Sequence, residues 1–186
     1  MNPSASIADT IRNMWSQSVQ VLSKPSVATF EQYENQGGLR EALIYVLVAS
    51  ILAGVFGLEG GVRGFLGGIV GTVVGFLTFT YLVFYFGKSQ GGSGNLDQVA
   101  YTFALFWAPI AVLFSVVALL LIITLIGIFL LPLLGLITLA VNVYFAYLAV
   151  QSSMNLRESG KIWLTLLVAA VGTFVVHLIV GAIPLL

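Results

Sequence analysis

The chain has no cysteine, a single histidine and, over long stretches, no charged side chain at all. Without cysteine there is no disulfide framework, thiol nucleophile or thiolate metal site, and the redox compartment cannot be read. One histidine, His177, excludes an H-E-x-x-H zinc site and any Cys/His cluster. Charged residues make up 8% of the 186 and hydrophobic ones 59%, whereas soluble domains carry roughly 25% charge. Seven basic residues balance seven acidic ones, so nothing electrostatic favours nucleic acid. Residues 1–40 contain no apolar run of signal-peptide type, and no cleavable leader is expected.

The uncharged stretches carry the fold. Residues 98–156 run 59 positions without a charge, and 42–58, 64–87 and 162–186 do the same over shorter lengths. A helix rises about 1.5 Å per residue and a hydrocarbon core is about 30 Å thick, so about 20 residues cross it. The longest run suits two crossings joined by a tight turn, and each of the others suits one. The expected fold is an all-α polytopic membrane bundle with five transmembrane helices. They fall near 41–58, 64–87, 98–125, 132–152 and 161–183, forming a 39–186 membrane domain behind a 1–38 N-terminal region.

That N-terminal region is not a span. Ile7, Ile11, Trp15, Val19 and Leu22 recur at helical spacing, with Asp9, Arg12, Asn13, Ser16 and Gln20 elsewhere on the wheel. Ser6 and Asp9 fit a capping box, and Pro25 ends the pattern. The pattern predicts an amphipathic helix on the membrane surface, with Trp15 at headgroup depth and Arg12 beside it. A second short helix is expected from Ser26 to Gln36, ended by Gly37 and Gly38. With five spans, Arg12, Lys24, Arg40, Lys88, Arg157 and Lys161 share one side and Arg63 stands on the other. This asymmetry predicts a cytoplasmic N-terminus and an outside C-terminus.

Polar and small residues within the spans are the functional candidates. Gly64, Gly67, Gly68, Gly71 and Gly75 give span two small residues one turn apart, suited to close helix packing within the chain or to a homo-oligomer seam. Asn142 and His177 are the strongly polar intramembrane groups, each explained by interhelical hydrogen bonding or by a role in solute or proton passage. Pro109 is expected to kink span three. No phosphate-binding G-x-x-x-x-G-K-[ST] loop, no glycine-flanked serine nucleophile and no intramembrane carboxylate pair is present. No enzyme, no cofactor and no metal site is therefore expected.

Several elements occur in a familiar order. Pro25 and Phe30 precede span one. The loop Phe86-Gly87 through Gly91-Gly92-Ser93-Gly94 precedes span three, which then reads Val99-Ala100-Tyr101 and, further on, Ala108-Pro109. Spans three and four are nearly continuous, and Trp163 stands near the start of span five. Over about residues 22–186 the chain resembles the Yip-domain family, the Ypt-interacting integral membrane proteins. The resemblance implies five spans with a cytoplasmic N-terminus. It assigns Gly91, Gly92, Gly94, Tyr101 and Pro109 to the family's loop and the kinked helix behind it. Eukaryotic members of that family are adaptors for prenylated Rab-type GTPases and coat machinery, and usually carry an aromatic-rich acidic N-terminal motif. Residues 1–40 lack that motif, which points to a prokaryotic member in a bacterial or archaeal cell membrane.

The expected function is a non-enzymatic membrane scaffold or adaptor. Its partners would be membrane lipids, proteins at the cytoplasmic face (a small GTPase if the source is eukaryotic) and further copies of itself. The alternative is a small-solute transporter or channel subunit.

Overall fold

A computed structural model describes residues 6–55, 61–124 and 127–181. The described residues form seven α-helices and one 3₁₀ turn, with no strand among them. In chain order these are α1 (Ile7–Ser23), α2 (Val27–Tyr33), α3 (Leu39–Val55), α4 (Gly61–Ser89), α5 (Leu96–Ile123), the 3₁₀ turn Gly127–Leu130, α6 (Leu131–Ser153) and α7 (Ser159–Gly181). Within them, Gly64–Ser89, Leu96–Ile123, Gly127–Ser153 and Ser159–Val180 are each long and apolar enough to cross a membrane. α3 has 17 described residues, close to the short limit of about 17 for a crossing helix.

The helix starts and stops follow from local chemistry. Ser6 and Asp9 form a reciprocal capping box at α1, and Asn95 and Gln98 form another at α5. Ser26 caps α2 through the Thr29 N–H, so this helix begins one residue later than expected and ends at Tyr33, short of Gln36. α6 opens with Pro132 in its first turn, where the missing N–H costs nothing. α5 continues through Pro109, whose absent N–H removes the hydrogen bond that the Leu105 carbonyl would otherwise accept.

α5 is the central element and packs against α1, α3, α4 and α6; α4 and α7 form a second close pair. From Val99 to Ile110 every α5 residue except Trp107 is buried. An aromatic chain fastens neighbours to it. Phe30 of α2 meets Phe106 edge-on at 6.2 Å, Phe106 stacks on Phe145 of α6 at 5.7 Å, and Phe103 contacts Phe79 of α4 at 5.5 Å. The outer surface is equally apolar: Leu113, Leu120, Leu136, Leu139, Leu167 and Phe174 all point away from the core. A surface covered this densely with large apolar side chains requires lipid as its solvent.

α4 and α7 run antiparallel with two reciprocal close approaches. A side-chain carbon added to Gly75 would overlap the His177 ring, and one added to Gly172 would overlap Leu82. Glycine on each helix thus admits a large side chain from the other.

Candidate functional site

One end of the bundle is closed by a layer of polar residues. The N-termini of α3, α5 and α7 and the C-termini of α4 and α6 meet there. α1 and α2 lie over them, contacting α3, α5 and α6. Asp97, at the start of α5, accepts the Leu39 N–H at 2.9 Å and so caps α3 from a distant part of the chain. The α4–α5 loop folds onto the end of α6. The Ser93 N–H donates to the Met154 carbonyl at 3.0 Å, and the Asn155 amide donates to Ser93 Oγ at 3.1 Å. Glycine is required here by space: a side chain at Gly94 would run into the Ser153 carbonyl, and one at Gly92 would meet the Gly87 carbonyl and Met154. Gly91 is needed for a different reason, a φ of +92°.

α1 packs with a mixed strip inward, while Asp9, Arg12, Asn13, Ser16 and Gln20 stay exposed. Thr10, Met14, Gln17, Ser18 and Val21 are buried, whereas Ile7, Trp15 and Val19 are 61%, 56% and 46% exposed. Gln17 bridges two elements: its Oε1 accepts from the Tyr101 hydroxyl at 2.7 Å and its amide donates to Gln36 Oε1 at 2.9 Å. Ser18 shares a hydrogen bond of 3.1 Å with Tyr45 of α3, and the Tyr33 hydroxyl donates to Gln20. The Tyr101 ring lies against Gly37, which has no side chain to obstruct it. Ser152 of α6 donates to the buried carboxylate of Glu34. α1 and α2 are therefore held by tyrosine, glutamine and serine contacts as much as by apolar packing.

The sequence reading of this end and the structure differ instructively. Ile7, Ile11, Trp15, Val19 and Leu22 form the expected row, and Ile7, Trp15 and Val19 of it face outward with Arg12. The separate contacts of Gln17, Tyr45 and the Glu34–Ser152 pair were not distinguishable. Gln17 lies among polar residues that read as a solvated face, and Tyr45 and Ser152 sit within or at the edge of apolar runs.

Inside the membrane-crossing part, Asn142 and His177 have separate surroundings. Asn142 lines a cavity among α3, α4, α5 and α6, with its amide donating to the Thr138 carbonyl at 2.9 Å. The His177 ring rests on Gly75, its Nδ1 3.1 Å from the Thr173 carbonyl. Of the other span-two glycines, Gly64, Gly68 and Gly71 have nothing within 4 Å of where a side chain would begin. Gly67 is half-buried. Among the described residues no three His, Cys, Asp or Glu side chains gather as a metal site would require.

An all-α bundle with apolar crossing helices and a polar cap at one end is an integral membrane protein. Residues 19–179 match the Yip1 domain, so the chain belongs to the Yip1-domain family. The match identifies the family and not a prokaryotic branch of it. No curated protein and no solved structure matches the chain.

Proposed function

We propose that this protein is a non-enzymatic membrane scaffold or adaptor whose capped end faces the cytoplasm and receives protein partners. The observation that carries this reading is the packing of α1. The strip Thr10, Met14, Gln17, Ser18 and Val21 is spent inside the cap, and Ile7, Trp15 and Val19 are presented outward beside Arg12. A helix arranged this way suits the boundary between headgroups and acyl chains, with Trp15 as an anchor. Arg12, Lys24, Arg40, Lys88, Arg157 and Lys161 all lie in helices or connections that meet at this end, and Arg63 falls in the first turn of α4 at the other. That distribution supports α3 as a fifth crossing and the cytoplasmic orientation of the cap.

Family membership makes a lipid-anchored small GTPase the first partner class to test. Photo-cross-linkers placed at Arg12, Trp15 and Lys88 in native membranes should trap a stoichiometric protein partner. Capture of lipid and other copies of the chain alone would refute the adaptor reading. The open row Gly64, Gly68 and Gly71 supports a second copy packing against α4. Gly68→Leu should then reduce oligomer mass without unfolding the bundle. A transport reading is weaker, because Asn142 and His177 serve different packing environments rather than a common path.

A further inference from the structure

The cavity beside Asn142 has a chemical character of its own. It measures about 390 Å³ and is lined by Ser50 of α3, Thr72 of α4, Trp107 and Ser115 of α5, and Gly135 and Asn142 of α6, among others. Asn142 stands midway along the 23-residue α6. Its amide nitrogen is committed to the Thr138 carbonyl, while Oδ1 is buried without a hydrogen-bond partner among the described residues. Turning the amide over would set oxygen against oxygen, so the unpaired group is the acceptor. Ser50 Oγ donates to the Val46 carbonyl at 2.7 Å and Ser115 Oγ to the Ala111 carbonyl at 2.9 Å, leaving each with free lone pairs. Asn142 Oδ1, Ser50 Oγ and Ser115 Oγ thus keep acceptor lone pairs, and no charged side chain among the described residues lines the cavity.

We propose that this cavity binds an uncharged, membrane-dissolved molecule with an apolar body and a hydroxyl donor, the hydroxyl seated on Asn142 Oδ1. An unpaired amide oxygen in an apolar setting is costly, and a donor relieves that cost. Alanine, isoleucine and aromatic side chains form most of the remaining wall and suit an alkyl body. The volume lies within the range of roughly 300–1,000 Å³ usual for small-molecule sites and far exceeds the roughly 30 Å³ of one water. A metal or ammonium cation would have to leave water for a site without a carboxylate, which disfavours both.

The test uses the full chain in lipid nanodiscs and a diazirine-bearing octanol as the photolabel. Labelled carbons should map to residues 107–115 and 135–142. Octanol should compete about fivefold or more better than octyl methyl ether, which matches its shape but has no donor, the difference expected for one hydrogen bond. Asn142→Leu should lower labelling by a similar factor, and Ala111→Phe, which fills the space without touching Asn142, should abolish it. Equal competition by alcohol and ether in the wild-type protein overturns the proposal, as does label spread over the lipid-facing leucines and unchanged in Ala111→Phe. Displacement by sodium rather than by octanol would assign the site to a cation and overturn it equally. The alcohol–ether comparison needs no variant, so it decides the matter even if Asn142→Leu fails to fold.

Discussion

Tyr101→Phe tests whether the buried Gln17 holds α1 to the rest of the cap. The substitution keeps the ring against Gly37 and removes only the hydroxyl, which donates to Gln17 Oε1 at 2.7 Å. Gln17 is 8% exposed, so its oxygen would be left without a partner where water scarcely reaches. An orphaned buried acceptor costs about 1–3 kcal/mol. Gln17 would keep its bond to Gln36, so the loss should loosen α1 from α5 without detaching it. At about 1.4 kcal/mol per factor of ten, amides of α1 should exchange with solvent about 5- to 150-fold faster. The assay is hydrogen exchange on the protein in nanodiscs, read peptide by peptide. Core amides of α5 near Phe106 should be unaffected. Gln17→Leu combined with Tyr101→Phe should cost less than the two single effects added, because each removes half of one bond. Unchanged exchange in α1 for Tyr101→Phe would refute the claim that the hydroxyl anchors that helix.

Three further outcomes follow from particular contacts. Gly94→Ala drives a side chain into the Ser153 carbonyl and should destabilise the bundle by about 2–4 kcal/mol, whereas Gly135→Ala, with nothing within 4 Å, should be neutral or stabilising by up to about 1 kcal/mol; unfolding in mixed micelles compares them. Gly75→Ala meets the His177 ring and should cost about 1–3 kcal/mol, with His177→Ala restoring most of it in the double variant; failure of that rescue would separate the two residues. The Asp9 carboxyl is held below its ordinary value of 3.8, first by the Ser6 hydroxyl and then by the Ser6 N–H. Because the folded value is the lower one, the capping contribution is present above the unfolded value and fades as pH falls through the folded one. Chemical shifts of Ser6 and Asp9 should report first-turn fraying below about pH 4 in the wild type, and none over that range in Asp9→Asn.

How far the sequence could be read depended on the size of the free energies involved. Moving a charge into hydrocarbon is so costly that uncharged stretches alone locate the helices: 64–87 and 162–186 match Gly61–Ser89 and Ser159–Gly181 within a few residues, and 98–156 holds both Leu96–Ile123 and Leu131–Ser153. The Ser6–Asp9 cap was legible because it needs only neighbours three apart, and the Asn95–Gln98 box that the structure adds at α5 is of the same kind. The orientation of α1 was legible only in part. Its apolar row was evident, but the face turned to the bundle is the mixed strip Thr10, Met14, Gln17, Ser18 and Val21 beside that row, and Asp9, Arg12, Asn13, Ser16 and Gln20 stay exposed. Periodicity gives the two faces and not which solvent each prefers. Long-range pairs such as Asp97 with Leu39, or Glu34 with Ser152, depend on the packing of helices that a single sequence leaves unordered.

Of the residues on which the family resemblance rests, Pro25, Ser93 and Trp163 are exposed, whereas the five assigned to its loop and kinked helix are structural. Gly92 and Gly94 are buried against the end of α6, Tyr101 is buried between Gly37 and Gln17, and Pro109 lies in the buried stretch of α5. Of these five only Gly91 is exposed, and its positive φ is a demand of the turn. None of these side chains is available to a partner. A resemblance built on them therefore specifies an architecture: a loop tight enough to lock α4, α5 and α6 together, and a tyrosine placed to dock α1. On the adaptor reading proposed above, partner choice would rest on what the cap exposes, chiefly Ile7, Arg12, Trp15, Val19 and Arg40. Exchanging that exposed set between two proteins with the same buried framework should therefore transfer partner preference while leaving stability in place. Exchanging Gly92, Gly94 and Tyr101 should do the reverse.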